Sequence, residues 1–211
     1  MRTLSQGLLI SVEGIDGSGK STLVQKISEL LSQEFYVCTT REPGATQLGK
    51  TIRSLVQEYR DNLDARAEFL LFAADRAQHF THIISPALKK GHIVVSDRLS
   101  DSSRAYQGYG RGLDLNIIDQ VNRWAMCNRQ PDIVFYLEVA VSTAHDRRIM
   151  RAHEQSRFEQ LNQDFFEKVA HGFKVMSQQK HWVVLDGNQS ITELSAYTCN
   201  YIKTWITSHN L

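Results

Sequence analysis

Residues 14 to 21 read Gly-Ile-Asp-Gly-Ser-Gly-Lys-Ser, which matches the spacing G-x-x-x-x-G-K-[ST]. Glycines at 14, 17 and 19 let the main chain turn tightly and aim its N–H groups inward at phosphate oxygens. A helix beginning at the same place adds the positive end of its dipole. In such a loop Gly14, Ile15, Asp16, Gly17, Ser18, Gly19 and Thr22 frame the anion. Lys20 reaches the β- and γ-phosphates, and the Ser21 hydroxyl sits on Mg²⁺. The motif predicts a nucleoside-triphosphate site but not a reaction: hydrolysis, switching, transport and transfer to an acceptor all remain open.

Three further segments bear on that choice. The run His92-Ile93-Val94-Val95-Ser96-Asp97-Arg98 has the form of a strand ending in Asp-Arg. In an open parallel sheet ligands lie beyond the carboxyl ends of the strands. Asp97 there can hold Mg²⁺ directly or through water, and Arg98 can grip an acceptor phosphate bidentately; the plain alternative is a surface ion pair. Thr40-Arg41-Glu42-Pro43-Gly44 ends another candidate strand at the same edge. Pro43 makes Glu42 extended and Gly44 permits a sharp turn, so Arg41 is presented at a fixed place, although loop punctuation explains Pro-Gly equally well. Phe69, Phe72, Arg76 and His79 recur three or four apart on one helical face. There a ring can stack on a nucleobase while the arginine bonds its edge, or the face is ordinary core.

The elements that must position these groups are legible as periodicity. Short apolar runs at Leu8 to Val12, Tyr36 to Thr40, Ile93 to Ser96, Ile133 to Val139 and Trp182 to Leu185 predict five strands. Consecutive apolar positions (Ile93-Val94-Val95, Val183-Val184-Leu185) predict strands covered on both faces. The gaps between them, roughly 25 to 55 residues, hold helical crossovers. The expected fold is therefore a three-layer α/β domain, a five-stranded parallel sheet flanked by helices, over the whole of residues 1–211. Phe158, Leu161, Phe165, Val169, Phe173 and Met176 form the apolar stripe of one long core-facing helix.

Composition narrows the partners. With 24 Lys plus Arg against 23 Asp plus Glu, the net charge of +1 predicts neither a nucleic-acid partner nor a membrane-surface one. Cys38, Cys127 and Cys199 form no C-x-x-C pair, and none of the eight His falls in a zinc motif. No signal-type segment opens the chain, and its apolar runs fall short of the ~20 residues that span a bilayer. These features predict a cytoplasmic protein.

In order and spacing the motifs resemble the bacterial thymidylate kinases over nearly the full length. The matching pieces are Glu13 to Thr22, Thr40 to Gly44, Phe72 with Asp75-Arg76, Asp97-Arg98, and Ser103 with Ala105-Tyr106-Gln107-Gly108; Pro131-Asp132, Arg157, Glu159 and Asp164-Phe165-Phe166 follow. The resemblance implies a P-loop NTPase fold and transfer of the γ-phosphoryl of ATP to dTMP, with Mg²⁺, in a homodimer. It implies that Phe72 stacks on thymine while Arg76 and Ser103 bond its edge, that Gln107 also belongs to the dTMP site, and that Tyr106 lies under the deoxyribose and crowds a 2′-hydroxyl. It further implies that Asp16 approaches the 3′-hydroxyl and the metal shell, that Arg98 with Arg41 holds the acceptor phosphate, and that Asp186-Gly187 borders adenine.

Departures occur at Ala45, Leu99 and Ser103, where relatives often carry Gly, Tyr or His, and Asn or Thr. Some relatives place an arginine where Gly17 stands; others carry their catalytic arginines in a mobile lid, and this chain resembles the latter. The lid is expected over 145–157, where Arg147, Arg148 and Arg151 share a helical face and converge on the transferred phosphate; a solvated basic helix is the alternative. Rival readings are a P-loop kinase for another nucleotide or nucleoside, and a nucleotide-dependent switch ATPase, although no N-K-x-D string specifies guanine.

Overall fold

The structure, a computed structural model, describes residues 1–58, 63–150 and 162–211. Five strands, β1 (Leu8–Glu13), β2 (Val37–Arg41), β3 (Ile93–Asp97), β4 (Ile133–Glu138) and β5 (Trp182–Asp186), form one sheet in the order β2-β3-β1-β4-β5. Every neighbouring pair is parallel, as the apolar runs predict. The register aligns Val12 with Asp97 and Asp97 with Arg41, so β1, β2 and β3 deliver their last residues side by side.

Around the sheet run α1 (Lys20–Leu31), α2 (Gln47–Glu58), α3 (Ala65–His79), α4 (Ser85–Lys89), α5 (Ser100–Ser103), α6 (Leu115–Ala125), α7 (Val141–Ile149), α8 (Gln163–Met176) and α9 (Ile191–Ser208). Local chemistry marks several starts. Asp64 accepts from Arg66 N–H before α3, Asp114 from Asn116 and Ile117 before α6, and Ser190 with Glu193 closes a capping box on α9. Two wider, π-helical segments interrupt the helices, at Phe80–Ile84 and Arg104–Gly110. The second runs straight on from α5 and carries Tyr106 and Gln107.

Apolar packing fills both faces of the sheet. On one, Leu23, Ile27 and Leu31 of α1 and Leu194, Ile202 and Ile206 of α9 bury against Leu8, Ile10 and Phe135. On the other, Phe166, Val169 and Phe173 of α8 pack on Val134 and Tyr136, with Tyr106 beside them. Phe80, Ile84 and Leu99 cover Leu9 and Val94.

Two expectations need correction. Val184 is 47 % exposed, because β5 is an edge strand paired only to β4 and does not lie between two full helical layers. Of the long apolar stripe, Phe165, Val169, Phe173 and Met176 lie on α8, which starts after the Asn162 cap; Phe158 and Leu161 lie outside the described residues. The same holds for Arg151, Arg157, Glu159 and the expected lid beyond residue 150, while 145–149 belong to α7.

Candidate active site

The first helical turn of α1 grows directly out of the glycine loop, with Gly19 in the left-handed region as its N-cap. Lys20 folds back over the loop: its ammonium donates to the Ile15 carbonyl at 2.8 Å and lies 3.5 Å from Ser18 Oγ. Burial, then the nearby Arg98, pushes its pKa down to about 8. Gly17 has φ +90° and a Cβ there would sit 2.2 Å from the Ala144 carbonyl. The loop and α7 touch through that bare backbone.

At the carboxyl end of β3, Asp97 accepts a hydrogen bond from Ser21 Oγ at 2.5 Å. The next residue, Arg98, has φ 71°, a conformation uncommon outside glycine and frequent at functional sites. This turn sends its guanidinium across β1, where it bonds the Gly14 carbonyl at 3.0 Å, Asp16 at 2.6 Å and Tyr106 Oη at 3.1 Å. Tyr106 in turn donates to Asp16 at 2.9 Å. Burial opposes ionisation of Asp16, but Arg98 and Lys20 outweigh it and hold the carboxyl at about 2.

A cavity of about 270 Å³ connects these groups to α3. Its lining combines Asp16, Gly17, Gly19, Lys20 and Ser21 of the loop and α1, Asp97 and Arg98 at the end of β3, Arg41 at the end of β2, Phe72 and Arg76 of α3, and Ser103, Tyr106 and Gln107 of α5 and the π-helical segment after it. Arg76 is buried and held on three sides, by Glu42 at 2.9 Å, Asn122 at 2.6 Å and the Leu99 carbonyl at 3.3 Å. Glu42 also meets His79, which reaches Thr40 from its other ring nitrogen. Burial raises the Glu42 pKa, yet Arg76 and His79 bring it below the ordinary value. Of the face Phe69, Phe72, Arg76, His79, only Phe72 and Arg76 line the cavity; Phe69 is buried core and His79 supports Glu42.

The remaining expected residues flank the cavity without lining it. Gly14, Ile15, Ser18 and Thr22 belong to the loop and the first turn of α1. Arg147 bonds the carbonyls of Ser18 at 3.3 Å and Gly187 at 3.1 Å, tying the β5 turn with Asp186 to the loop. Arg148 bonds the Asp16 carbonyl at 2.9 Å and stacks on Phe166 at 4.1 Å. For a metal ion the Ser21 hydroxyl and the Asp97 carboxylate lie side by side; among the described residues no group of three or more His, Cys, Asp or Glu gathers. Two hard oxygens without a cage fit Mg²⁺ that keeps its waters and leans on substrate phosphates.

A family model described as thymidylate kinase matches residues 12–197. The chain is 40 % identical over 192 residues to the thymidylate kinase of Halothermothrix orenii, covering 90 % of this chain and 93 % of that one. With that of Staphylococcus haemolyticus it shares 36 % identity over 199 residues, covering 93 % and 98 %. The chain belongs to the thymidylate kinase family. A crystal structure of thymidylate kinase from Ehrlichia chaffeensis superimposes with a TM-score of 0.77 at 32 % identity, covering 93 % of this chain and 99 % of that one.

The family fold also brings in residues the motifs left out. Arg53 of α2 lines the cavity beside Arg41 and donates to the Pro43 carbonyl at 3.1 Å. Burial and the neighbouring Arg41 lower its pKa. Its signal in sequence was only a cation next to the buried stripe Gly49, Ile52, Val56. Glu42 is read in the sequence only as the residue held extended before Pro43, and no motif singles out Glu68.

Proposed function

We propose that this chain transfers the γ-phosphoryl group of ATP to dTMP, giving dTDP. One observation carries the reading: Lys20, Arg98 and Phe72 face a single cavity, so a triphosphate on the glycine loop and a base against Phe72 meet end to end at the arginines.

The acceptor phosphate has a second pKa near 6 and is largely dianionic at pH 7, so it needs no base to become a nucleophile. Catalysis then rests on in-line placement and on cations neutralising charge on the phosphoryl oxygens, where an arginine supplies roughly 10³- to 10⁵-fold. Arg98, Arg41 and Arg53 hold the acceptor phosphate; Lys20 holds the donor; Arg147 and Arg148 are the cations α7 brings to the loop. Ser21 and Asp97 would hold Mg²⁺, which when bound would supply neutralisation of charge on the donor phosphates. Tyr106, fixed between Asp16 and Arg98, is in this reading the wall under the sugar, where it would crowd a 2′-hydroxyl.

A cytoplasmic homodimer completes the reading. No helix among the described residues is long and apolar enough to cross a membrane. Leu48 and Leu55 of α2, Leu70 of α3, and Ile117 and Trp124 of α6 are exposed on three adjacent helices, Trp124 by 83 %. An apolar surface of that kind on neighbouring elements is what a second copy covers.

Triphosphate consumption with and without dTMP tests the assignment. Turnover that depends on dTMP and yields dTDP supports it. Equal consumption without acceptor indicates a switch or ATPase, and strong preference for dUMP, dCMP or a nucleoside removes dTMP as the substrate. Phe72→Ala is expected to raise the dTMP requirement at least about tenfold and leave ATP binding unchanged, because Phe72 lines the cavity from α3 and not from the glycine loop.

A further inference from the structure

We propose that Glu68 is a positioning residue that sets base specificity by locking the orientation of the Gln107 amide. The inference rests on the dTMP reading above and deepens it.

Glu68, Phe72 and Arg76 occupy successive turns of α3, at spacings of four residues, so they share a face. Glu68 is fully buried, an unusual place for a carboxylate unless it is paired. Its partner is Arg111, whose Nη2 lies 3.2 Å from Oε2 and whose Nε lies 3.4 Å from Oε1. Arg111 is itself held flat over the Phe165 ring at 4.9 Å. Oε1 also accepts from the Gln107 side-chain amide at 3.0 Å.

A carboxylate engaged by a guanidinium offers acceptors only. The amide therefore has to turn its NH₂ toward Glu68, and it cannot flip without setting oxygen against oxygen inside the core. Gln107 lines the cavity at the base end. With one N–H held by Glu68, the amide keeps its carbonyl oxygen turned away from that carboxylate. This oxygen is the acceptor it offers a ligand, beside the second N–H of the same NH₂. Phe72 fixes the plane of a stacked base, and the Gln107 oxygen reads its edge.

That edge separates the pyrimidines. Thymine and uracil carry a proton on N3 and can donate it to the amide oxygen. Cytosine presents a lone pair at N3, which faces the same oxygen without a proton between them. Such a polar mismatch in a buried site is a strong discriminator, because neither group can find water. The device does not read the 5-methyl group, so it leaves dTMP and dUMP unseparated.

Internal competition gives the test, since the ratio of kcat/KM for two acceptors is independent of how much enzyme is active. With MgATP as donor, pairs of dTMP with dCMP and dTMP with dUMP are run for the wild type, Glu68→Gln, Gln107→Met and the double variant. Glu68→Gln keeps the shape but lets both amides flip. The expected result is a dTMP:dCMP ratio lowered by about tenfold or more with the dTMP:dUMP ratio within about twofold of wild type. The KM for dTMP should rise while kcat is nearly kept, which a general loss of folding would not produce. Gln107→Met leaves the Glu68–Arg111 pair in place and must lower the ratio by itself. Adding Glu68→Gln to it must then change nothing further.

An unchanged dTMP:dCMP ratio in either single variant, or a further loss of ratio in the double variant, overturns the inference alone. A wild-type enzyme that does not phosphorylate dTMP overturns the underlying reading first, and the two failures are thus distinguishable.

Discussion

Lys20 offers the sharpest quantitative test. Its ammonium is buried at the loop, bonded to the Ile15 carbonyl at 2.8 Å, and burial with Arg98 nearby brings its pKa down to about 8. A bound triphosphate places several negative charges at that ammonium and restores the pKa toward the ordinary lysine value of about 10.4. Below pH 8 the lysine is already charged and binding requires no proton. Above pH 8 each binding event must take one up, so affinity falls as pH rises. From pH 8 to 9.5 the linkage amounts to on the order of 15-fold in the association constant, or about 1.6 kcal/mol. The γ-phosphate, with a second pKa near 6, has finished titrating by then.

Titration calorimetry of MgATP, run between pH 7 and 9.5 in two buffers of different ionisation enthalpy, reads both quantities. Proton uptake should climb from about 0.1 per site at pH 7 to about 0.9 at pH 9. Lys20→Met should bind more weakly at pH 7 and show neither the uptake nor the slope. A wild-type association constant that stays level from pH 8 to 9.5, or a Lys20→Met profile that falls in parallel, refutes the reasoning.

Glu42→Gln leaves Arg76 buried without its nearest counter-charge and is expected to cost about 3–5 kcal/mol of stability at neutral pH, read by denaturant midpoint. Because the folded pKa of Glu42 is depressed, its contribution is full above the unfolded value near 4.3 and fades as pH falls through the folded one, so the wild-type advantage should shrink below about pH 4. Tyr106→Phe removes the hydroxyl that bonds Asp16 and Arg98 while keeping the ring against Phe165 and Phe173. Acceptor kcat/KM should fall by about 10- to 100-fold, and rejection of the ribonucleotide should weaken. Gly17→Ala forces a Cβ to within 2.2 Å of the Ala144 carbonyl at φ +90°, so MgATP affinity should drop at least about tenfold and α7 should lose protection in hydrogen exchange.

Much of this arrangement was legible in the chain, for a definite reason. β1, β3 and β4 are flanked on both faces, so their residues are mostly apolar, with Ser11 the one polar residue before the carboxyl ends, and their ends fall within about a residue of the periodicity. The same logic misled at β5, where Val184 belongs to an edge. The glycine loop and the Asp97-Arg98 turn announce themselves because each must place backbone and charge at the carboxyl end of a strand. Glu42, Arg53 and Glu68 give no such notice. Each is a charge whose meaning comes from a partner more than 30 positions away or from a neighbouring loop: Glu42 from Arg76, Glu68 from Arg111, Arg53 from the bend at Pro43. Spacing rules see neighbours on one helix and are blind to such pairs.

The charges at the loop also decide what kind of catalyst this is. Asp16 touches Arg98 and Tyr106, and with Lys20 close by it stays ionised down to about pH 2. A carboxylate so firmly charged is a poor proton acceptor at neutral pH, and a dianionic acceptor has no proton to give. What Asp16 can do is hold Arg98 at a fixed angle. Arg98 in turn spans from the Gly14 carbonyl to Ser102 and Tyr106 in the cavity wall. Lys20, Arg147 and Arg148 likewise rest on carbonyls of the loop, at Ile15, Ser18 and Asp16. Cations seated on the loop's carbonyls fix the polar framework before a ligand arrives. A site arranged in this way lowers the barrier by having its charges already in place, and the protons need not move.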